Sequence, residues 1–117
     1  MKKSINKLQV IPATIYPSNV YIFRGFDYEN AQPHLEAIEE ECLFLFKEAF
    51  NHPGYTVLTP NGSVVVFIED DTNIPMFVHE LFHAVEFILQ RVDIQLTKDT
   101  SEVYAYLLQY MVEQIMT

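Results

Sequence analysis

Met76-Phe77-Val78-His79-Glu80-Leu81-Phe82-His83-Ala84-Val85-Glu86-Phe87-Ile88-Leu89-Gln90 is the stretch around which the rest of the chain has to be arranged. At 100° per residue its apolar side chains cover most of a helix, and a helix that is hydrophobic nearly all round is normally buried. The polar residues are gathered rather than scattered. His79, His83, Glu86 and Gln90 fall on one narrow stripe, with Glu80 beside it. A polar stripe on such a helix must be hydrogen-bonded, bound to a metal or set along a cleft, because unpaired burial is costly. Histidines four residues apart stand one turn above each other, so both imidazoles reach a single ion. Zn²⁺ suits imidazole nitrogen and keeps one position open for water in a catalytic site, and Glu80 is placed to take a proton from that water.

Working outward, Pro75 suits a first helical turn, with Asn73 or Ile74 at the cap, and the helix is expected to run to about Arg91. Before it, Tyr55–Leu58 and Ser63–Ile68 flank Thr59-Pro60-Asn61-Gly62, which signals a hairpin. Val64 to Ile68 is apolar throughout, so both faces of that strand should be covered. Leu8 to Ile15, broken by Pro12, reads as an edge strand or arm, and Val20 to Phe23 as a clearer strand. Pro33 suggests a helix start, and Leu35, Ile38, Cys42, Leu45, Phe46 and Ala49 continue at helical spacing to a stop at Asn51-His52-Pro53-Gly54. After a connection over 92–98, Asp99 or Thr100 caps a last helix to about Ile115. The expectation is an α+β fold: one domain over 1–117, with a small mixed or antiparallel sheet packed on the motif helix and a following C-terminal helix.

Composition narrows the function classes. The 117 residues carry 16 acidic against 7 basic side chains, a net charge of −9. That argues against a nucleic-acid partner and an anionic membrane surface, both of which call for clustered Lys and Arg. No apolar run is long enough to span a bilayer, and Gln9 and Pro12 interrupt any leader-like segment. A single cysteine, Cys42, excludes an internal disulfide and fits a reducing compartment, so a cytoplasmic location is expected; the residue itself reads as a small buried hydrophobe. The run Glu39-Glu40-Glu41 reads as a solvated helix face.

After His83 the sequence has no further histidine or cysteine, so a third metal ligand from downstream must be a carboxylate: Asp93, Asp99, Glu102 or Glu113. Glu102 has the best position. It falls in the first turn of the last helix, and seven or eight connecting residues span about 23–26 Å, enough for the chain to turn back along the motif helix. The competing role for Glu102 is a capping box with Asp99. Tyr106, four residues on, shares the Glu102 face, where its hydroxyl could orient a ligand.

With eighteen residues separating His83 from Glu102, the pattern His79-Glu80-Leu81-Phe82-His83…Glu102 resembles the gluzincin branch of the zincin metallopeptidases. The stretch Ser101 to Leu108 is also similar to small phage-encoded zincin-like proteins. The resemblance implies a minimal zincin-like domain in which one Zn²⁺ per chain is held by His79, His83 and Glu102. It further implies Glu80 as general base, a peptide or protein as substrate, and the cytoplasm of a phage-infected bacterium as the setting. It also implies that the strand before the motif helix, Val64 to Ile68, borders the substrate cleft and pairs with an extended peptide. Two other readings compete: a non-catalytic acidic inhibitor or decoy for a basic partner, and a purely structural zinc site. Oligomeric state is left open by the sequence.

Overall fold

The computed structural model describes residues 6–39, 43–70 and 72–116. Cys42 and Glu40-Glu41, with the roles expected of them, lie outside the described residues, as does the side chain of Glu39. The elements are β1 (Lys7–Pro12), β2 (Asn19–Arg24), α1 (Tyr28–Glu39), α2 (Leu43–Ala49), β3 (Gly54–Leu58), β4 (Val64–Ile68), α3 (Ile74–Arg91) and α4 (Ser101–Met116). The strands form one mixed sheet in the order β1-β2-β4-β3. β1 runs antiparallel to β2, β2 parallel to β4, and β3 antiparallel to β4. The protein is therefore an α+β domain of the kind the sequence anticipates.

Strand periodicity divides the core in two. Val20, Ile22, Val64, Val66 and Ile68 point to one face, where they meet Phe77, Leu81, Ala84, Val85 and Ile88 of α3 and Tyr104, Leu107 and Met111 of α4. The intervening Phe23, Val65 and Phe67 point to the other, against Ala31 and Leu35 of α1 and Phe46 and Ala49 of α2. All five residues of β4 are buried, as its unbroken apolar run requires of a strand covered on both faces.

The same central position overturns one expectation. β4 is hydrogen-bonded to β2 on one side and β3 on the other, so it has no edge to offer a peptide. The strand beside α3 that lies at the sheet's edge is β3. The helical stretch from Pro33 also differs from its anticipated form. It begins a turn earlier, at Tyr28, because Asp27 Oδ1 accepts the Asn30 N–H at 2.8 Å and caps it, which leaves Pro33 inside α1. Leu43–Ala49, the later part of the expected helix, forms α2.

Candidate metal centre

α3 starts where its sequence says it should. Asn73 Oδ1 accepts the Met76 N–H at 3.2 Å, and Pro75 sits in the first turn, where no N–H is needed. From that start the 3.6-residue period turns Leu81, Ala84, Val85 and Ile88 into the sheet and the stripe of His79, His83, Glu86 and Gln90 outward. The stripe is not buried: the side chains of His79 and His83 are 63% and 44% exposed. Glu80, 100° round from His79, is turned toward β3 and is 6% exposed.

The two imidazoles face each other, His79 Nε2 standing 3.2 Å from His83 Nε2. Two nitrogens bound to one tetrahedral zinc at about 2.05 Å stand about 3.3 Å apart, so the pair already has the bite of such a site. His83 is also oriented. Its Nδ1–H donates to Glu86 Oε1 at 2.9 Å. A carboxylate can only accept, which puts the proton of the neutral ring on Nδ1 and leaves Nε2 as a lone pair facing His79. A His79 ring protonated on Nε2 can also donate to that lone pair, so a hydrogen bond between the rings accounts for the same contact.

Glu80 is held from the sheet. Thr56 Oγ1 lies 2.6 Å from Glu80 Oε1, its donor contact to the carboxylate, and 3.1 Å from the Glu80 main-chain oxygen. The other carboxylate oxygen, Oε2, is 3.9 Å from His79 Nε2. Gly54 makes this approach possible. A Cβ there would sit 2.8 Å from Met76 Sδ and 3.0 Å from Glu80 Cγ, so a larger residue at the start of β3 would displace these side chains of α3. Gly54, Tyr55, Thr56, Glu80, His83 and Phe87 line an open cleft of about 310 Å³, which brings the expected base and one expected ligand to a common surface beside the edge strand.

Glu102 lies in the first turn of α4, as anticipated, and is exposed. It does not join the histidines: among the described residues no three His, Cys, Asp or Glu side chains are grouped to hold a metal ion. The cause is the face that α4 buries. Tyr104 turns inward, its ring 6.4 Å from Phe82 and its hydroxyl donating to the Ile94 carbonyl at 2.7 Å. Glu102, two residues earlier, is therefore about 200° round the helix, on the solvent side. Tyr106 shares that outer side, as its spacing requires. It is 65% exposed and lines a groove with Thr14, Ile15 and Tyr16, away from the imidazoles.

Two contributors were not identified from sequence. Glu86 was legible as an i,i+3 partner of His83. Thr56 carried no local signal, since its role depends on β3 crossing α3. Compared with protein-family models, curated proteins and solved structures, the chain matches none of them.

Proposed function

We propose that the protein is a metal-dependent hydrolase of peptide amide bonds, with zinc held by His79 and His83 and completed by Glu102. The observation that carries this reading is the 3.2 Å separation of the two Nε2 atoms, backed by the Glu86 contact that fixes the His83 tautomer. Zinc bound there supplies Lewis-acid polarisation of water and of a scissile carbonyl. Glu80 takes the proton from the attacking water and returns it to the leaving amine. Thr56 occupies Oε1, so Oε2, the oxygen on the histidine side, is the one free to accept that proton. Burial of Glu80 keeps this carboxylate in one orientation beside the cleft. The substrate lies as an extended strand along the free edge of β3, where main-chain hydrogen bonds continue the sheet. Glu102 is assigned as third ligand on its spacing, and reaching the histidines requires the first turn of α4 to rotate its outer side toward α3.

Metal analysis of the protein purified with zinc tests the assignment: about one zinc per chain is expected, and its loss in His79→Ala and Glu102→Ala. Stoichiometric zinc retained by Glu102→Ala would remove the third ligand, and a wild type that takes up no zinc would end the reading. In Glu80→Gln, zinc should remain while hydrolysis of a peptide library disappears. Equal activity in the two proteins would refute Glu80 as the base.

A further inference from the structure

β2 and β4 are parallel neighbours, yet the chain leaves them toward opposite faces of the sheet. After β2, α1 packs Ala31 and Leu35 on one face, and after β4, α3 packs Leu81 and Val85 on the other. Such a divergence opens a crevice beyond the carboxyl ends of the strands, the usual place for a ligand in an open sheet. A cavity of about 230 Å³ lies at this point, at the opposite sheet face from the α3 and α4 core.

The lining is mainly aromatic and acidic. Phe26, Phe23, Phe67, Phe50 and Tyr28 form a continuous wall, with Phe23 5.0 Å from Phe26 and 5.4 Å from Phe67, Phe50 edge-on to Phe67 at 4.7 Å and Tyr28 edge-on to Phe50 at 5.8 Å. Asp27 and Glu69 add two carboxylates, and among the described residues no Lys or Arg lines the space. Carboxylates attract cations, as does any ring face turned to the space, and Asp27 sets a negative charge against the positive N-terminal end of α1. His52, the remaining polar side chain of the lining, faces Glu48 at 3.7 Å. Lys47, outside the lining, sets its Nζ 6.0 Å over the Tyr28 ring.

We propose that the crevice at the carboxyl ends of β2 and β4 binds a small organic ammonium ion. The proposal is independent of the metal centre, whose residues lie on α3, β3 and α4.

Titration of the ¹⁵N-labelled protein with tetramethylammonium chloride, followed by amide chemical shifts, tests it. Sodium chloride at equal ionic strength and tert-butanol, a neutral molecule of similar shape, are the controls. Saturable shifts at Asp27, Tyr28, Phe50 and Glu69 are expected, with a Kd of about 1–10 mM. Asp27→Asn should weaken binding about fivefold without loosening α1, because an asparagine oxygen still caps the Asn30 N–H. Phe50→Leu should weaken it by a similar factor. A further titration with Nα-acetyl-lysine methylamide distinguishes the source: tighter binding than tetramethylammonium assigns the site to lysine side chains, weaker binding to free ammonium compounds. Shifts of equal size with tert-butanol, unlocalised shifts, or unchanged binding in Asp27→Asn would overturn the proposal.

Discussion

Replacing Thr56 by valine removes one hydroxyl and leaves the β-branched shape that β3 packs, so its effect isolates the bond to Glu80. The Thr56 hydroxyl meets a carboxylate that is 6% exposed, at 2.6 Å. Hydrogen bonds to charged groups contribute about 1.5–3 kcal/mol, against about 0.5–1.5 kcal/mol between neutral partners. Thr56→Val should therefore destabilise the metal-free protein by about 1.5–3 kcal/mol. For a chain of 117 residues an unfolding entropy of about 2.1 cal/mol/K per residue converts that loss to a fall in Tm of about 6–12 °C. The same change in a Glu80→Gln background should cost only about 0.5–1.5 kcal/mol, leaving a coupling of about 1 kcal/mol between the two positions. Thr56→Ser, which keeps the donor, should recover most of the bond. Urea unfolding of the four proteins of the cycle, with equal m-values as the check on a common unfolded state, supplies the numbers. Equal costs of Thr56→Val in both backgrounds, or a cost below about 0.5 kcal/mol in the wild type, would refute the idea that Thr56 holds a charged Glu80.

Gly54→Ala should destabilise by about 1–3 kcal/mol through overpacking against Met76 and Glu80, and Met76→Ala in the same chain should recover part of that loss by thermal denaturation. Glu86→Gln should lower zinc affinity about 10–100-fold in a competitive chelator titration while leaving the fold intact, since it disturbs only the partner of His83 Nδ1. Ile88→Ala, in the fully buried row of α3, should cost about 2–5 kcal/mol in urea unfolding, with no change in metal stoichiometry.

Where side-chain period and local punctuation decide an element, the sequence was sufficient. The apolar run of β4, the Thr59 to Ser63 turn, the Asn73 cap and the helical repeat of α3 each depend on neighbours a few residues away, and each element stands close to its expected bounds. Sheet order is a different kind of information. That β4 pairs in parallel with β2, and so lies inside the sheet with β3 outside it, follows from the long connection through α1 and α2 and from burial on both faces. Nothing within residues 64–68 distinguishes a central strand from a covered edge strand. The helix boundary at Tyr28 was obscured for a related reason: a proline invites the reading of a first turn, but a capping aspartate one turn earlier overrides it.

The candidate site divides along the same line. His79, His83 and Glu86 are related by helical geometry alone, and their facing atoms lie within 3.2 Å because a turn of helix sets the distance. Glu80 and Thr56 are related by packing, and the sequence could name the first but not the second. Glu102 belongs to neither case. Its place in the first turn of α4 follows from local signals, but the direction it faces follows from which side of α4 is apolar. Tyr104, Leu107 and Met111 bury one side, and that choice turns Glu102 outward. Rotating it inward would carry Tyr104, 2% exposed, away from Phe82 and from the Ile94 carbonyl, forfeiting the burial of a large aromatic side chain at about 3–5 kcal/mol as well as the hydrogen bond. Structural zinc in zinc-finger peptides supplies about 10–16 kcal/mol, so a metal site that draws on Glu102 is expected to be coupled to α4 packing. Tyr104→Phe, which frees the Ile94 carbonyl but keeps the ring, should then strengthen zinc binding if Glu102 is the third ligand. Unchanged zinc affinity in Tyr104→Phe, measured against the same chelator, would mean that α4 does not move to complete the site.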